Sequence, residues 1–385
     1  MRAEVLTPAR VLPFVVFWST LDRTLALPIV PTIAEEFNTS LALAGTAITS
    51  NALAYAVFQL MWGPLSTRWG RVKVLTVSTT IGAGANVLSA AAPEIWTFLI
   101  ARTVTGGAYA AVFAAVLTYI GDTVPLVKRP GMMSNLASST ALSIALGTLF
   151  AGGMAEITSW RWIFAIYGLL AFPIARIIAT LPDPGNHHGE RVLSQIYSLS
   201  RNTWALIIFF LVALEGALLI GVFNFLPVAL QESGGGIFVS GLVTASFGVA
   251  VIIASQLMKL FVHQVHPAQL LAFAGVFGLA AFGVLLLGVN PHTVLWGSAL
   301  MGVAWALGHT TIQTWATDAM VDSRALGMTL FSISLMLGGS AGAAAGSWAA
   351  EEQTFPLLFV VSGVSMVAFG GGAALWRARY QESGK

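Results

Sequence analysis

The chain contains no cysteine, and of its 385 residues only 9% are charged. The first absence excludes disulfides, thiolate metal sites and thiol nucleophiles. The second excludes an ordinary water-soluble domain, where roughly a quarter of residues are charged. Also missing are a serine–histidine–acid arrangement and a phosphate-cradling loop; Gly234-Gly235-Gly236 lacks the lysine that a nucleotide loop requires. His187-His188 and His263-x-x-His266 have no carboxylate or cysteine set beside them to complete a metal site. What the chain has instead is grease. Hydrophobic residues make up 57% of it, a proportion whose outer surface must face lipid.

A membrane-crossing helix needs roughly 20 mostly apolar residues. Twelve such runs are predicted, near 11–32, 41–63, 74–92, 96–118, 132–155, 162–181, 203–230, 237–258, 268–289, 293–316, 326–349 and 355–376. Turn-forming clusters such as Ala92-Pro93-Glu94 and Pro182-Asp183-Pro184-Gly185 separate them. The first run is long enough to span and shows no small-residue cleavage site, so it reads as a span rather than a signal peptide. Lysine and arginine then set the orientation. With the N-terminus cytoplasmic, fourteen of them, including Arg10, Arg68, Arg71, Lys259, Arg324 and Arg379, fall in inside segments, and Arg161 alone falls outside. Glu35, Glu36, Glu94, Glu156, Glu232, Glu351 and Glu352 lie outside. The split supports an even number of spans with both termini inside.

An internal repeat runs at an offset of 196 residues. It aligns Gly106 with Gly302, Asp122 with Asp318, Lys128 with Arg324, Gly131-Met132 with Gly327-Met328, Glu156 with Glu352, and Pro31 with Pro227. The expected fold is therefore all-α and integral to the membrane, with twelve transmembrane helices in two pseudo-symmetric six-helix bundles. Residues 1–181 form the first bundle, 182–202 a cytoplasmic inter-bundle loop, and 203–385 the second. Parallel halves of this kind are a transporter architecture with a substrate site between them.

Four segments carry a resemblance. Gly63-Pro64-Leu65-Ser66-Thr67-Arg68-Trp69-Gly70-Arg71 follows the second span, Arg102-x-x-x-Gly106-Gly107-Ala108 lies on the fourth, and Gly147-Thr148-Leu149-Phe150-Ala151-Gly152-Gly153 on the fifth. Leu21 followed by Pro28-Ile29-Val30-Pro31 lies on the first. Together they resemble the major facilitator superfamily, and in particular its twelve-helix drug:proton antiporters. The resemblance implies a conformational role for the loop residues Gly63, Arg68, Gly70 and Arg71. It also implies a cavity lined by spans 1, 4, 7 and 10. The sequence departs from the motifs at Thr67, Thr105 and Thr148, where the family has aspartate, glutamine and proline. Threonine at 67 can cap a helix but supplies no charge for the lock between halves that the family's aspartate helps form.

Asp22, Arg23, Arg102 and Glu215 sit well inside predicted spans. Each costs about 2.5–3.5 kcal/mol at the bilayer centre on insertion scales, so each should pair or face water. A structural ion pair of Asp22 with Arg102 or with Arg23 competes with a coupling or substrate role. Nearby cations favour the ionised form of Asp22, whereas Glu215, with no cation within two turns, should more readily hold a proton. Residues favour Glu215 as the titrating group, and the family resemblance favours Asp22. Both are carried, with Arg102 as charge partner and Arg23 as a substrate contact. Trp305, His309 and Gln313 share one helical face, as do Arg102, Thr105 and Tyr109, and Asn51, Tyr55 and Gln59 form a third polar stripe. Asn51, Tyr55, Thr105, Tyr109, Trp305, His309 and Gln313 are the substrate-contact candidates, with helix–helix hydrogen bonding as the competing role; Asn224 is weaker. Gly338, Gly342 and Gly346 form a small-residue stripe suited to close helix approach.

The expected activity is proton-coupled export, by alternating access, of a small amphiphilic or cationic compound, as in multidrug efflux. An uptake symporter or a dedicated metabolite or metallophore exporter on the same scaffold is the alternative. A membrane enzyme or receptor fits less well, for want of catalytic clusters or a soluble domain. The chain is expected to need no cofactor or metal. Its partners would be a small-molecule substrate, protons and the lipid bilayer, with no nucleic acid. It is expected as a monomer in the plasma (inner) membrane.

Overall fold

The computed structural model describes residues 7–125, 129–184, 192–261 and 264–383. Twelve long helices run through them, one for each predicted span. They are α1 (Pro8–Glu36), α2 (Leu41–Trp69), α3 (Arg71–Ala90), α4 (Ile95–Thr123), α5 (Arg129–Ile157) and α6 (Arg161–Ile178). The second set comprises α7 (Thr203–Glu232), α8 (Ile237–Leu260), α9 (Pro267–Leu285), α10 (Pro291–Ala319), α11 (Arg324–Glu351) and α12 (Phe355–Ser383). Ten of them are long and apolar enough to cross a membrane by length and composition. The other two, α3 and α10, are 20 and 29 residues long but more polar. The stretch expected to be a loop at 182–202 holds a further helix, Val192–Arg201, too short to register as a span.

Helices dominate because a backbone in lipid must satisfy its own hydrogen bonds. The sequence marks their starts. Ser40, Asn202, His266 and Asn290 each cap the helix they precede, accepting from backbone N–H groups two or three residues on. Proline occupies the first turn of α1, α9 and α10, where no intrahelical N–H is needed. A single residue joins α2 to α3. Gly70 adopts φ +92°, and a side chain there would strike Asp183.

The 196-residue offset recurs in the geometry. In α1 a 3₁₀ turn, Leu27–Ile29, precedes a seven-residue helical end, Val30–Glu36. In α7 the same irregularity falls at Phe223–Phe225 and Leu226–Glu232. Gly106 lets α4 meet the Asn51 carbonyl of α2, and Gly302 lets α10 meet the Phe247 carbonyl of α8. Lys128 and the side chain of Arg324 lie outside the described residues.

Successive helices reverse direction, so the turns collect at two ends. The acidic end carries the turns near Glu36, Glu156, Glu232 and Glu351; the basic end carries those near Arg68, Arg71, Arg201 and Lys259. At the acidic end Arg161 ties three turns together. It bonds the Ala90 and Ala92 carbonyls at 2.8 and 2.7 Å and pairs with Glu36 at 2.8 Å, while the Trp160 indole also donates to Glu36.

The same end joins the two halves of the chain. Ser347 donates to the Ala42 carbonyl at 2.8 Å, Ser340 to that of Thr49 at 3.1 Å, and Gln231 to that of Pro28 at 2.7 Å. Beside these, α5 and α8 approach through Thr148, Gly152 and Gly241. On α11, Gly338 and Gly342 meet the Ala213 and Ala217 carbonyls of α7, and Gly346 meets Phe225. The glycine stripe is thus a packing seam. Gly342→Val should cost about 1–3 kcal/mol through overpacking. Thermal unfolding in detergent reads this, and an unshifted midpoint would show that the seam has slack.

Candidate functional site

Helices α1 and α4 place Asp22 against Arg102. Arg102 Nη2 lies 2.6 Å from Asp22 Oδ2, and Nη1 lies 3.2 Å from Oδ1, a two-pronged ion pair. Nη2 also reaches the Asp22 carbonyl at 3.2 Å, and Nη1 reaches Asn86 Oδ1 of α3 at 3.0 Å. The guanidinium lies over the Phe164 ring of α6, 4.9 Å from its centre. Exposure is 0% for Asp22 and 1% for Arg102. Two charges this deep persist because each is neutralised and hydrogen-bonded by the other. Asn86 was not singled out in the sequence; an asparagine inside an otherwise apolar span was the available signal.

Around this pair the polar stripes of α2 and α4 turn inward to protein. Asn51 Nδ2 donates to the Arg102 backbone carbonyl at 2.9 Å, and Thr105 donates to that of Ala101 at 2.7 Å. Tyr109 packs edge-on to Tyr167, which donates to the Trp18 carbonyl. Asn51, Thr105 and Tyr109 are all buried. Asn51 thus ties α2 to α4, Thr105 bonds within its own helix and Tyr109 packs against α6, and the three buried side chains present little surface to a substrate.

A second acid–base pair bridges α7 and α10, the helices that the repeat relates to α1 and α4. Glu215 Oε2 lies 3.0 Å from His309 Nδ1, joining residues 94 positions apart. Glu215 is fully buried, and among the described residues its Oε1 has no hydrogen-bond partner. His309 is partly exposed, stacks on Trp305 with centroids 4.1 Å apart, and meets the edge of Phe331 on α11. Directly after Glu215 the chain widens into a π-helical segment, Gly216–Gly221, a distortion often found at functional sites. The sequence showed no cation near Glu215 because its partner arrives from another helix.

Arg23 is the remaining intramembrane ion. It is half-buried; its Nη1 lies 3.2 Å from the Met336 sulfur of α11, and its guanidinium lies 5.1 Å from the centre of the buried Tyr55 ring of α2. Gln313 and Trp305 are likewise half-buried. Asn224 sits in the 3₁₀ turn of α7.

The loop motif is built around Arg71. Its Nη1 donates to the Ser66 carbonyl at 2.7 Å, and Nε pairs with Asp122 of α4 at 3.3 Å, which ties the α2–α3 turn to α4. Arg68 is exposed. The side chain of Thr67 lies outside the described residues, as do His187, His188 and His263. His266 serves as the cap of α9.

Comparison with known proteins places this geometry. Residues 12–343 match the profile of the Major Facilitator Superfamily. An MFS-type transporter of Claviceps purpurea is 32% identical over 150 residues, 39% of this chain and 26% of that protein. The MFS-type efflux pump MFS1 of Trichophyton rubrum is 30% identical over 146 residues, covering 38% and 27% respectively. The matches thus span about a quarter of those relatives' length. Among solved structures, a bacterial homologue of the human lysosomal transporter Spinster, inward-facing and occupied, superposes with TM-score 0.76 at 15% identity, covering 98% of this chain and 97% of that one. A D-xylose-proton symporter superposes with TM-score 0.73 at 16% identity, covering 96% of each. At these identities the likeness is one of fold.

Proposed function

Since the chain belongs to the Major Facilitator Superfamily, whose members are transporters rather than enzymes, it is a multi-pass membrane transporter of the secondary class, and we propose that it exports a small amphiphilic compound in exchange for protons. The observation that carries the proton half of this reading is the Glu215–His309 pair. A carboxyl sealed among helices needs a route for its proton, and the half-buried imidazole supplies one. The export half is supported by relatives named as efflux pumps, such as that of Trichophyton rubrum. Asp22 with Arg102 is the second coupling candidate. A proton or cation arriving there must displace the guanidinium contacts that now hold Asp22.

The mechanism proposed is rocking of residues 1–181 against 203–385, with protonation changing the relative stability of the two states. A ligand or proton moves that equilibrium only as far as its affinity differs between them. The state seen here is sealed at the acidic end. Gly45 of α2 is wedged against Ser347 and Phe225, and Gly152 of α5 against Ile237 and Gly241. Toward the basic end of the same helices, nothing lies within 4 Å of where a side chain on Gly63 or Gly131 would begin. If the basic end is cytoplasmic, this is an inward-facing arrangement.

Two experiments bear on this. In everted vesicles, adding substrate should release protons from the lumen; accumulation of substrate driven by protons in right-side-out vesicles would instead make the chain an uptake symporter. The absence of cysteine makes the protein its own background for accessibility labelling. Gly63→Cys should react with an impermeant maleimide applied from the basic end, and Ser347→Cys should resist it from either side. Equal reactivity of the two would contradict the assigned state.

A further inference from the structure

Among the described residues three basic side chains lie near mid-span, and two of them have an acidic partner. Arg102 is committed to Asp22 and His309 to Glu215. Arg23 is not. Among the described residues no carboxylate lies within ion-pair distance of it, and its contacts are a thioether and the face of a phenol ring, neither of which neutralises charge. An unmatched guanidinium in a bilayer is tolerated where it faces water or awaits a counter-ion. Its neighbour Asp22 cannot serve, since successive residues of a helix point about 100° apart and Asp22 faces α4.

The position is informative. Arg23 sits between α2 and α11, whose contacting side chains, Tyr55 and Met336, are both buried, so its open side faces the space between the chain halves and not lipid. Met336 lies one helical turn toward the basic end from Ser340, whose bond to Thr49 belongs to the acidic-end seal. Arg23 therefore marks the first layer beneath that seal. Five residues further along α11 toward the basic end, about 7.5 Å of helix rise, Phe331 meets His309, which stacks on the half-buried Trp305. Five residues also turn about 140° round the helix, so Arg23 and the Trp305–His309 stack meet α11 on different faces, and the fixed charge of Arg23 is the feature that bears on a ligand.

We propose that Arg23 is the anchor for an anionic group, so that the transported compound is an amphiphilic organic acid. This rests on the transport reading above and sets aside the cationic option of the sequence reading, because Asp22 and Glu215 already face Arg102 and His309.

Matched probes on one carbon skeleton test it. 2-Naphthoate, 2-naphthamide and 2-naphthylmethylamine, with the benzene and anthracene analogues, are titrated onto the purified full chain in nanodiscs without a pH gradient, reading tryptophan fluorescence and thermal shift. Sodium phosphate and sodium chloride form a separate arm. At least one acid should bind about tenfold or more tightly than its amide and amine, the size of a charge-assisted hydrogen bond out of water. Arg23→Gln should remove that advantage without changing amide binding, and Arg23→Lys should retain part of it. Four results would overturn the proposal: no acid binding, acid and amine bound alike, an acid affinity unchanged by Arg23→Gln, or phosphate or chloride alone reproducing the response. If Arg23→Gln does not fold, the wild-type charge preference and Arg23→Lys decide. Proton-driven flux is measured separately, so a failure here leaves the export reading standing, and loss of export leaves the binding result intact.

Discussion

Glu215→Gln should abolish pH-driven transport while leaving the fold and gradient-free substrate exchange in place. Glutamine keeps the shape of the side chain and can still hydrogen-bond His309 Nδ1, now 3.0 Å from the carboxylate, but it cannot take up and release a proton. Free-energy coupling between two ligands typically amounts to about 1–3 kcal/mol, or about 5–150-fold in affinity. The substrate accumulation ratio in proteoliposomes under an imposed pH gradient should therefore fall to its gradient-free value. His309→Gln should slow the same flux while leaving the Glu215 carboxyl in place. Undiminished proton-driven flux in Glu215→Gln would take Glu215 out of the mechanism and leave Asp22 as the coupling acid.

Arg102→Met should be the most destabilising of the substitutions considered. It removes the guanidinium from Asp22 and Asn86 and leaves a carboxylate at 0% exposure with no counter-charge. Breaking one partner of a buried pair in this way costs about 3–5 kcal/mol. Adding Asp22→Asn to the same chain should recover most of the loss, since two neutral groups of similar volume no longer strand a charge. Unfolding in mixed micelles across the four members of this cycle gives the interaction energy directly. Strictly additive losses would show that the pair is held by its surroundings and not by its own charge.

The parts legible from sequence and the parts that were not divide by range. Span positions follow from local apolar composition, so all twelve runs became helices, with their ends shifted by a few residues; α1 reaches Glu36 where the apolar run stopped near residue 32, and α9 ends at Leu285 where the run reached 289. The repeat was visible because Pro31 and Pro227 occupy the same local break in α1 and α7. The glycine stripe on α11 was readable as a close-approach surface for the same reason. The short helix at Val192–Arg201 was missed because its amphipathic run is shorter than any span.

The site is different in kind. That Asp22, Arg23, Arg102 and Glu215 demand partners in a bilayer is dictated by residue type alone, whatever the fold. Which partner each receives depends on helix rotation and neighbour choice, neither of which leaves a local trace. Those choices committed Arg102 to Asp22 and Asn86, buried Asn51, Thr105 and Tyr109 among the helices, brought His309 to Glu215 across 94 residues, and left Arg23 beside a sulfur atom and a ring. Composition could declare how many charges the membrane must accommodate; only the packed helices could decide which of them remains unmatched.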